Sequence, residues 1–209
     1  ERGGSDLQPL LVAAAPALEK HALRSLPQLR EPGQLSGLLW GFASAGLDCD
    51  GEVAREAATS VLKLLDGGSA DECQFSPADL CCILRSFALK GLRHEPLFTA
   101  AAGHLEGCVD EIGWDDMASA VWACGTVAAP HQGLLTAVVR HLYAEEARAQ
   151  AREQGDQDLC VPFPDAVLLS WALTGGLQDT LLREAVVEDL LLPAERLAGI
   201  LDQSGAVDQ

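Results

Sequence analysis

The stretch Leu35 to Leu47, LSGLLWGFASAGL, is written a second time from Leu80 to Leu92 as LCCILRSFALKGL. The two align without a gap: Leu35 falls on Leu80, Leu39 on Leu84, Phe42 on Phe87, Ala43 on Ala88, Gly46 on Gly91 and Leu47 on Leu92. Two looser copies follow, ASAVWACGTV from Ala118 to Val127 and VLLSWALTGGL from Val167 to Leu177. An aromatic ring followed by alanine marks each copy, at Phe42, Phe87, Trp122 and Trp171. Those intervals lie close to the roughly 34 to 47 residues that one helix pair and its turns occupy in known helical arrays.

Between the copies stand segments with helical periodicity. Val53, Ala57, Val61 and Leu65 fall four apart, Leu97, Ala101 and Leu105 do the same, and Leu134, Leu135, Val138, Val139 and Leu142 form an apolar face. Start and stop signals agree. Ser76-Pro77-Ala78-Asp79 offers an N-cap serine, a proline in the first turn and an acid at the third helical position; Gly46 suits a left-handed cap, and the helix opened at Ser76 runs to Gly91. Hydrophobic residues make up 48% of the chain and aromatics only 5%, so alanine and leucine carry the core, which favours close-packed helices over a sheet.

These signs predict an all-α chain, an α-solenoid of about four stacked helical hairpins in one domain over 1–209. A half repeat covers 7–30. Repeats follow at 33–66, 76–107, 114–152 and 163–192, with a terminal helix at 193–204. Pro16 is expected to kink or divide the first segment, and Gln34 to open the Leu35 helix. The core is expected to hold Leu39, Phe42, Leu84, Phe87, Trp122, Leu168 and Trp171, with the ring and alanine pairs filling the layer between hairpins.

Chemistry-bearing patterns are sparse. The histidines, His21, His94, His104, His131 and His141, have no metal-ligand spacing, and no phosphate-binding glycine loop or nucleophile elbow occurs. The 7 cysteines lack paired spacing and are expected to be reduced and mostly buried. The acid pairs Asp115-Asp116 and Glu145-Glu146 suit capping and solubility. The chain is therefore read as non-enzymatic, with no cofactor, no catalytic residue and no metal. No apolar run approaches the roughly 20 residues that span a bilayer.

Charge bears on partners. With 31 acidic against 14 basic residues, the net charge of -17 opposes non-specific binding to a polyanion. The one local basic cluster is Arg85, Lys90, Arg93 and His94, expected to meet an acidic patch or an RNA phosphate.

LSGLLWGFASAGL and PADLCCILRSFALKGL resemble the first helices of octotricopeptide-type repeats and of the related arrays found beside RAP domains. In that pattern a leucine-rich helix ends in an aromatic-alanine pair and then Gly-Leu. The resemblance runs from Leu7 to about Ala206, although the tryptophan signature of the second helix and the RAP domain itself do not occur. It implies an organellar protein, mitochondrial or plastidic, that binds RNA or sits within a large assembly. A processed start, with Glu1 first and Met117 the only methionine, agrees with an organellar destination. Two functions follow as expectations. The first is a non-catalytic scaffold or adaptor, a structural subunit of a large assembly, contacted by other protein subunits on its second-helix faces and on the loops Asp66 to Gln74 and Ala144 to Asp158. The alternative is an octotricopeptide-like RNA-binding protein in organellar transcript maturation or translation.

Overall fold

The computed structural model describes residues 7–29, 31–47, 52–67, 75–129 and 131–151. The fourth copy with Leu168 and Trp171, its partner segment and the terminal helix lie outside the described residues, as does most of each polar connector. Among the described residues there is no strand. The helices are α1 (Leu7–Ser25), α2 (Pro32–Ser44), α3 (Glu52–Asp66), α4 (Pro77–Leu89), α5 (Glu95–Gly107), α6 (Trp114–Thr126) and α7 (Gln132–Ala151). One-turn 3-10 helices at Leu26–Gln28 and Val109–Glu111 close α1 and join α5 to α6.

The helices form two layers. In the first, α2 packs on α4 and α4 on α6; in the second, α1 packs on α3, α3 on α5 and α5 on α7. Contacts between α2 and α3, α4 and α5, and α6 and α7 join the layers as stacked hairpins. The first layer is the more closely packed, because small side chains face the junctions: Ser36 on α2, Cys81 and Ser86 on α4, and Ala118, Ala120 and Ala123 on α6, all buried. Small residues let helix backbones approach, and large ones then fill the space between layers. Leu35, Leu80 and Met117 occupy equivalent buried positions, as do Leu39, Leu84 and Val121.

The first-layer helices end alike. Leu47 N–H donates to Phe42 O at 3.2 Å, Leu92 N–H to Phe87 O at 2.9 Å and Ala129 N–H to Cys124 O at 3.0 Å. Each is the long bond of a Schellman cap, and the residue before it is left-handed: Gly46 at φ 68°, Gly91 at φ 63° and Ala128 at φ 50°. The caps therefore set Cys124, not Trp122, on Phe42 and Phe87. The ring-alanine alignment of the third copy is two residues out of structural register. Trp122 does pack on the core, but only half-buried, whereas Cys124 is fully buried. Phe87, Leu39 and Leu84 are buried as expected, and Phe42 is half-buried against the core.

Two local expectations change. Pro16 neither ends nor divides α1, which runs through it. Pro16 is exposed, so water can satisfy the carbonyl that loses its partner. The Leu35 helix begins at Pro32, with Glu31 as N-cap and proline in the first turn, rather than at Gln34.

Candidate partner-binding face

The cap register adds Trp122 to a pair, Trp40 and Arg85, that the alignment of the first two copies already matched. Trp40 of α2, Arg85 of α4 and Trp122 of α6 occupy one position on three neighbouring first-layer helices. The Arg85 guanidinium lies 5.0 Å from the centroid of the Trp40 ring, a cation–π contact across the α2–α4 junction. Trp40 is nonetheless 36% exposed, and Leu89, one turn beyond Arg85, is also exposed. One turn toward the helix N-termini the equivalent residues are Gly37, Cys82 and Ser119, all small. The bulk of Trp40 and Arg85 beside these small residues leaves a cleft of about 140 Å³ lined by Trp40, Cys81, Cys82, Arg85, Asp116 and Ser119.

That volume is below the roughly 300 to 1,000 Å³ of small-molecule sites and is sized for a single side chain. Its polar groups are few. Asp116 sits in the first turn of α6, where the helix dipole favours a carboxylate. Partial burial pushes the Asp116 carboxyl above its ordinary value, neighbouring Asp115 adds to the rise, and Arg85 opposes it. Asp116 forms no ion pair among the described residues, and no buried side-chain oxygen or nitrogen there lacks a hydrogen-bond partner, so the polar atoms of the cleft are within reach of water. Ser119 is only 6% exposed.

The cysteines at the cleft floor are thiols at neutral pH. Burial pushes the Cys81 thiol far up, with Asp116 the next cause. Burial also raises Cys82, partly offset by its hydrogen bond with Ser86. On α6, burial pushes Cys124 up to about 12. A thiol held protonated is a poor nucleophile and metal ligand. No cluster of metal-ligating side chains occurs among the described residues.

The basic cluster of the sequence does not form one patch. Arg85 lies over Trp40. Arg93 lies 3.8 Å from Glu95, with both side chains more than half exposed, a pair worth little. Lys90 is the C-cap residue of α4 and lies beside Leu39, Phe42, Phe87 and Leu92 between the layers. His94 is the N-cap of α5: its Nδ1 accepts the Leu97 N–H at 3.2 Å, and its ring meets Phe87 edge-on at 6.4 Å. His131 does the same for α7, accepting the Leu134 N–H at 3.2 Å. Both histidines stand three residues before a buried leucine, and that spacing was the sequence signal for the cap. His141 contacts Asp110 at 2.8 Å and Trp114 at 5.4 Å between ring centroids, tying α7 to the α5–α6 connection.

A larger depression of about 800 Å³ between α3, α4 and α5 is lined by Leu65, Phe75, Leu80, Thr99, Gly103 and His104 among others. The connector from Asp66 to Phe75 starts and ends on its rim, and residues 68–74 lie outside those described. No helix among the described residues is long and apolar enough to cross a membrane. Compared with known proteins, the chain matches no family model, no curated protein and no solved structure.

Proposed function

We propose that this chain is a non-catalytic helical-repeat scaffold or adaptor, a structural subunit of a large assembly, and that the outer face of its first-helix layer carries the partner contact. The supporting observation is the Trp40–Arg85 contact, an aromatic ring left 36% exposed with a guanidinium over it at 5.0 Å from the centroid. Tryptophan and arginine are the residue types that dominate binding energy at protein interfaces, and a rigid layer presents them at little entropic cost. The second-layer helices α3, α5 and α7 expose Glu52, Arg55, Lys63, Glu95, Thr99, Glu106 and Arg140, an ordinary solvated surface, and α1 exposes Leu18 without an aromatic or arginine described beside it. The proposed contact thus moves from the second helices to the first. An organellar setting, in a mitochondrion or plastid, rests on the octotricopeptide-type resemblance.

The second reading, an RNA-binding protein of organellar transcript maturation or translation, draws on the same pair, since a ring and a guanidinium also stack on bases. Charge weighs against it. A polynucleotide usually engages about 6 to 10 phosphates, and the cluster of Arg85, Lys90 and Arg93 sets only three cations against a net charge of -17. Filter binding of the full chain to homopolymeric RNA separates the two. Weak retention at low salt is expected, and tight retention that falls steeply with salt would replace the scaffold by the RNA reader. Trp40→Ala should weaken partner association at least about tenfold if the ring is a central anchor.

A further inference from the structure

The side of α4 that receives α2 consists of Asp79, Cys82, Ile83 and Ser86. Asp79 accepts from the Ser36 hydroxyl, the Cys82 thiol donates to the Ser36 carbonyl at 3.9 Å, and Ser86 sits beside Leu39 and Ala43. The equivalent residues of α6, which receives α4, are Asp116, Ser119, Ala120 and Ala123. On α2 the same positions hold Gln34, Gly37, Leu38 and Gly41, and α2 packs against α4 and α3 with its other sides. Burial follows. Ile83, Ser86, Ala120 and Ala123 are buried, whereas Gly37 and Gly41 are exposed and Leu38 is only half-buried. A face that is an interface at both other junctions therefore stands open on α2.

Backbone and charge single out this face as well. A β-carbon at Gly37 or Gly41 would meet no atom within 4 Å, and neither glycine holds a positive φ. Glycine inside a helix is destabilising relative to alanine, and no contact within this chain calls for it at either place. Close approach of a backbone from outside does. In addition, α2 is the one α-helix among the described residues with no aspartate, glutamate, lysine, arginine or histidine, in a chain with 31 acidic and 14 basic residues.

We infer that two copies of this chain pair through α2, antiparallel about a two-fold axis, with Gly37 and Gly41 of each copy against the same glycines of the other. At about 100° of turn per residue, Leu38 and Trp40 flank that glycine ridge on either side. Glycine has no side chain to dictate direction, so an antiparallel neighbour fits where the array places a parallel one. Charge selects a second copy over another partner. In a two-fold contact each residue stands near its own image, so a charged face repels itself and an uncharged one does not. A basic partner drawn by the net charge of -17 would be received by carboxylates, and α2 offers none. A face one helix of 13 residues long buries less than the about 1,200 Å² of stable complexes, so the dimer is weak and forms as concentration rises. The inference goes beyond the scaffold reading and does not rest on it, since a dimer serves an RNA reader equally well.

The test is sedimentation of the full chain, with a reductant present, from micromolar to near-millimolar concentration. The mass should rise from the 22.0 kDa of one chain toward twice that. Each copy carries -17, so repulsion opposes pairing, and raising salt from about 0.01 to 0.15 M should strengthen the dimer. Gly37→Glu sets a charge against its own image and should weaken pairing at least about tenfold, with an unchanged helical circular-dichroism spectrum. Gly37→Ala with Gly41→Ala should weaken it severalfold while raising the melting temperature of the monomer. Thr99→Glu, on an exposed position of α5, adds the same charge elsewhere and should leave pairing unchanged. A chain that stays monomeric throughout, pairing that salt weakens, pairing that survives Gly37→Glu, or equal loss with Thr99→Glu would each overturn the α2 dimer.

Discussion

The junction of α2 with α4 and the junction of α4 with α6 are built from the same template, and they differ where polar groups meet. In the first, Ser36 donates to Asp79 Oδ1 at 2.6 Å across the helices. Ser76 caps α4 by accepting the Asp79 N–H at 3.1 Å and donates to Asp79 Oδ2 at 2.7 Å. In the second, Asp116 takes the place of Asp79, but Cys81 stands where Ser36 stood and Gly113 where Ser76 stood. Both hydroxyls are gone, and with them the donors that close Asp79. A repeat can therefore keep its backbone and its apolar packing while one junction closes its carboxylate with two hydroxyls and the next does without them.

The largest effect should separate the two copies at the cap position. Phe87 is buried, and Phe87→Ala should cost about 3–5 kcal/mol in denaturant unfolding. Cys124→Ala, at the equivalent place on α6, should cost only about 1 kcal/mol. Equal costs would break the structural register and restore Trp122 to the ring position. Next comes the cross-helix bond. Ser36→Ala leaves Asp79 without its donor from α2 and should lose about 1–2 kcal/mol. The converse change, Cys81→Ser, should supply Asp116 with a hydroxyl and draw its pKa back toward the ordinary 3.8, read by NMR titration.

Smaller still is the turn after α6. Ala128 holds the left-handed conformation that glycine holds at Gly46 and Gly91. Ala128→Gly should stabilise by about 0.5–1 kcal/mol and raise the melting temperature, whereas Gly91→Ala should destabilise by a similar amount. A neutral result at Ala128 would mean that the turn relaxes out of the left-handed region in solution. The smallest effect is the pH dependence of Asp116. Its folded-state pKa is raised, so the native state holds the proton more tightly than the unfolded chain does. The stability due to this group is present in full below the unfolded pKa and is lost as pH rises through the folded one. Asp116→Asn should remove that decline, which comparison of unfolding midpoints from pH about 4 upward will measure.

The fold was legible because its signals are local. Gly46 and Gly91 in the caps, Ser76-Pro77 at the start of α4 and the four-residue apolar spacing of α3 each act within a turn or two of chain. The site was not legible to the same degree. Arg85 looked like part of a basic cluster with Lys90, Arg93 and His94, because sequence shows only neighbours along the helix and its turn. In the structure the helix turns Arg85 onto Trp40 of the preceding unit, while His94 is consumed as a cap. Trp122 misled for a related reason: a large ring followed by alanine looks like the core marker of the other copies, yet the cap bonds define the register.

By itself the sequence determined the all-helical array, since periodicity, caps and left-handed turns are properties of short segments and need no distant partner. It also determined the acidic field, since net charge is a sum over residues. Only the tertiary structure decided which residue faces which across the first layer. The distances between Trp40 and Arg85, and from Ser36 to Asp79, depend on how closely two helix backbones approach, and that is set by packing of many small side chains at once. The different setting of Asp116 follows from the same packing, which brought Cys81 to the place where a hydroxyl had closed the junction before.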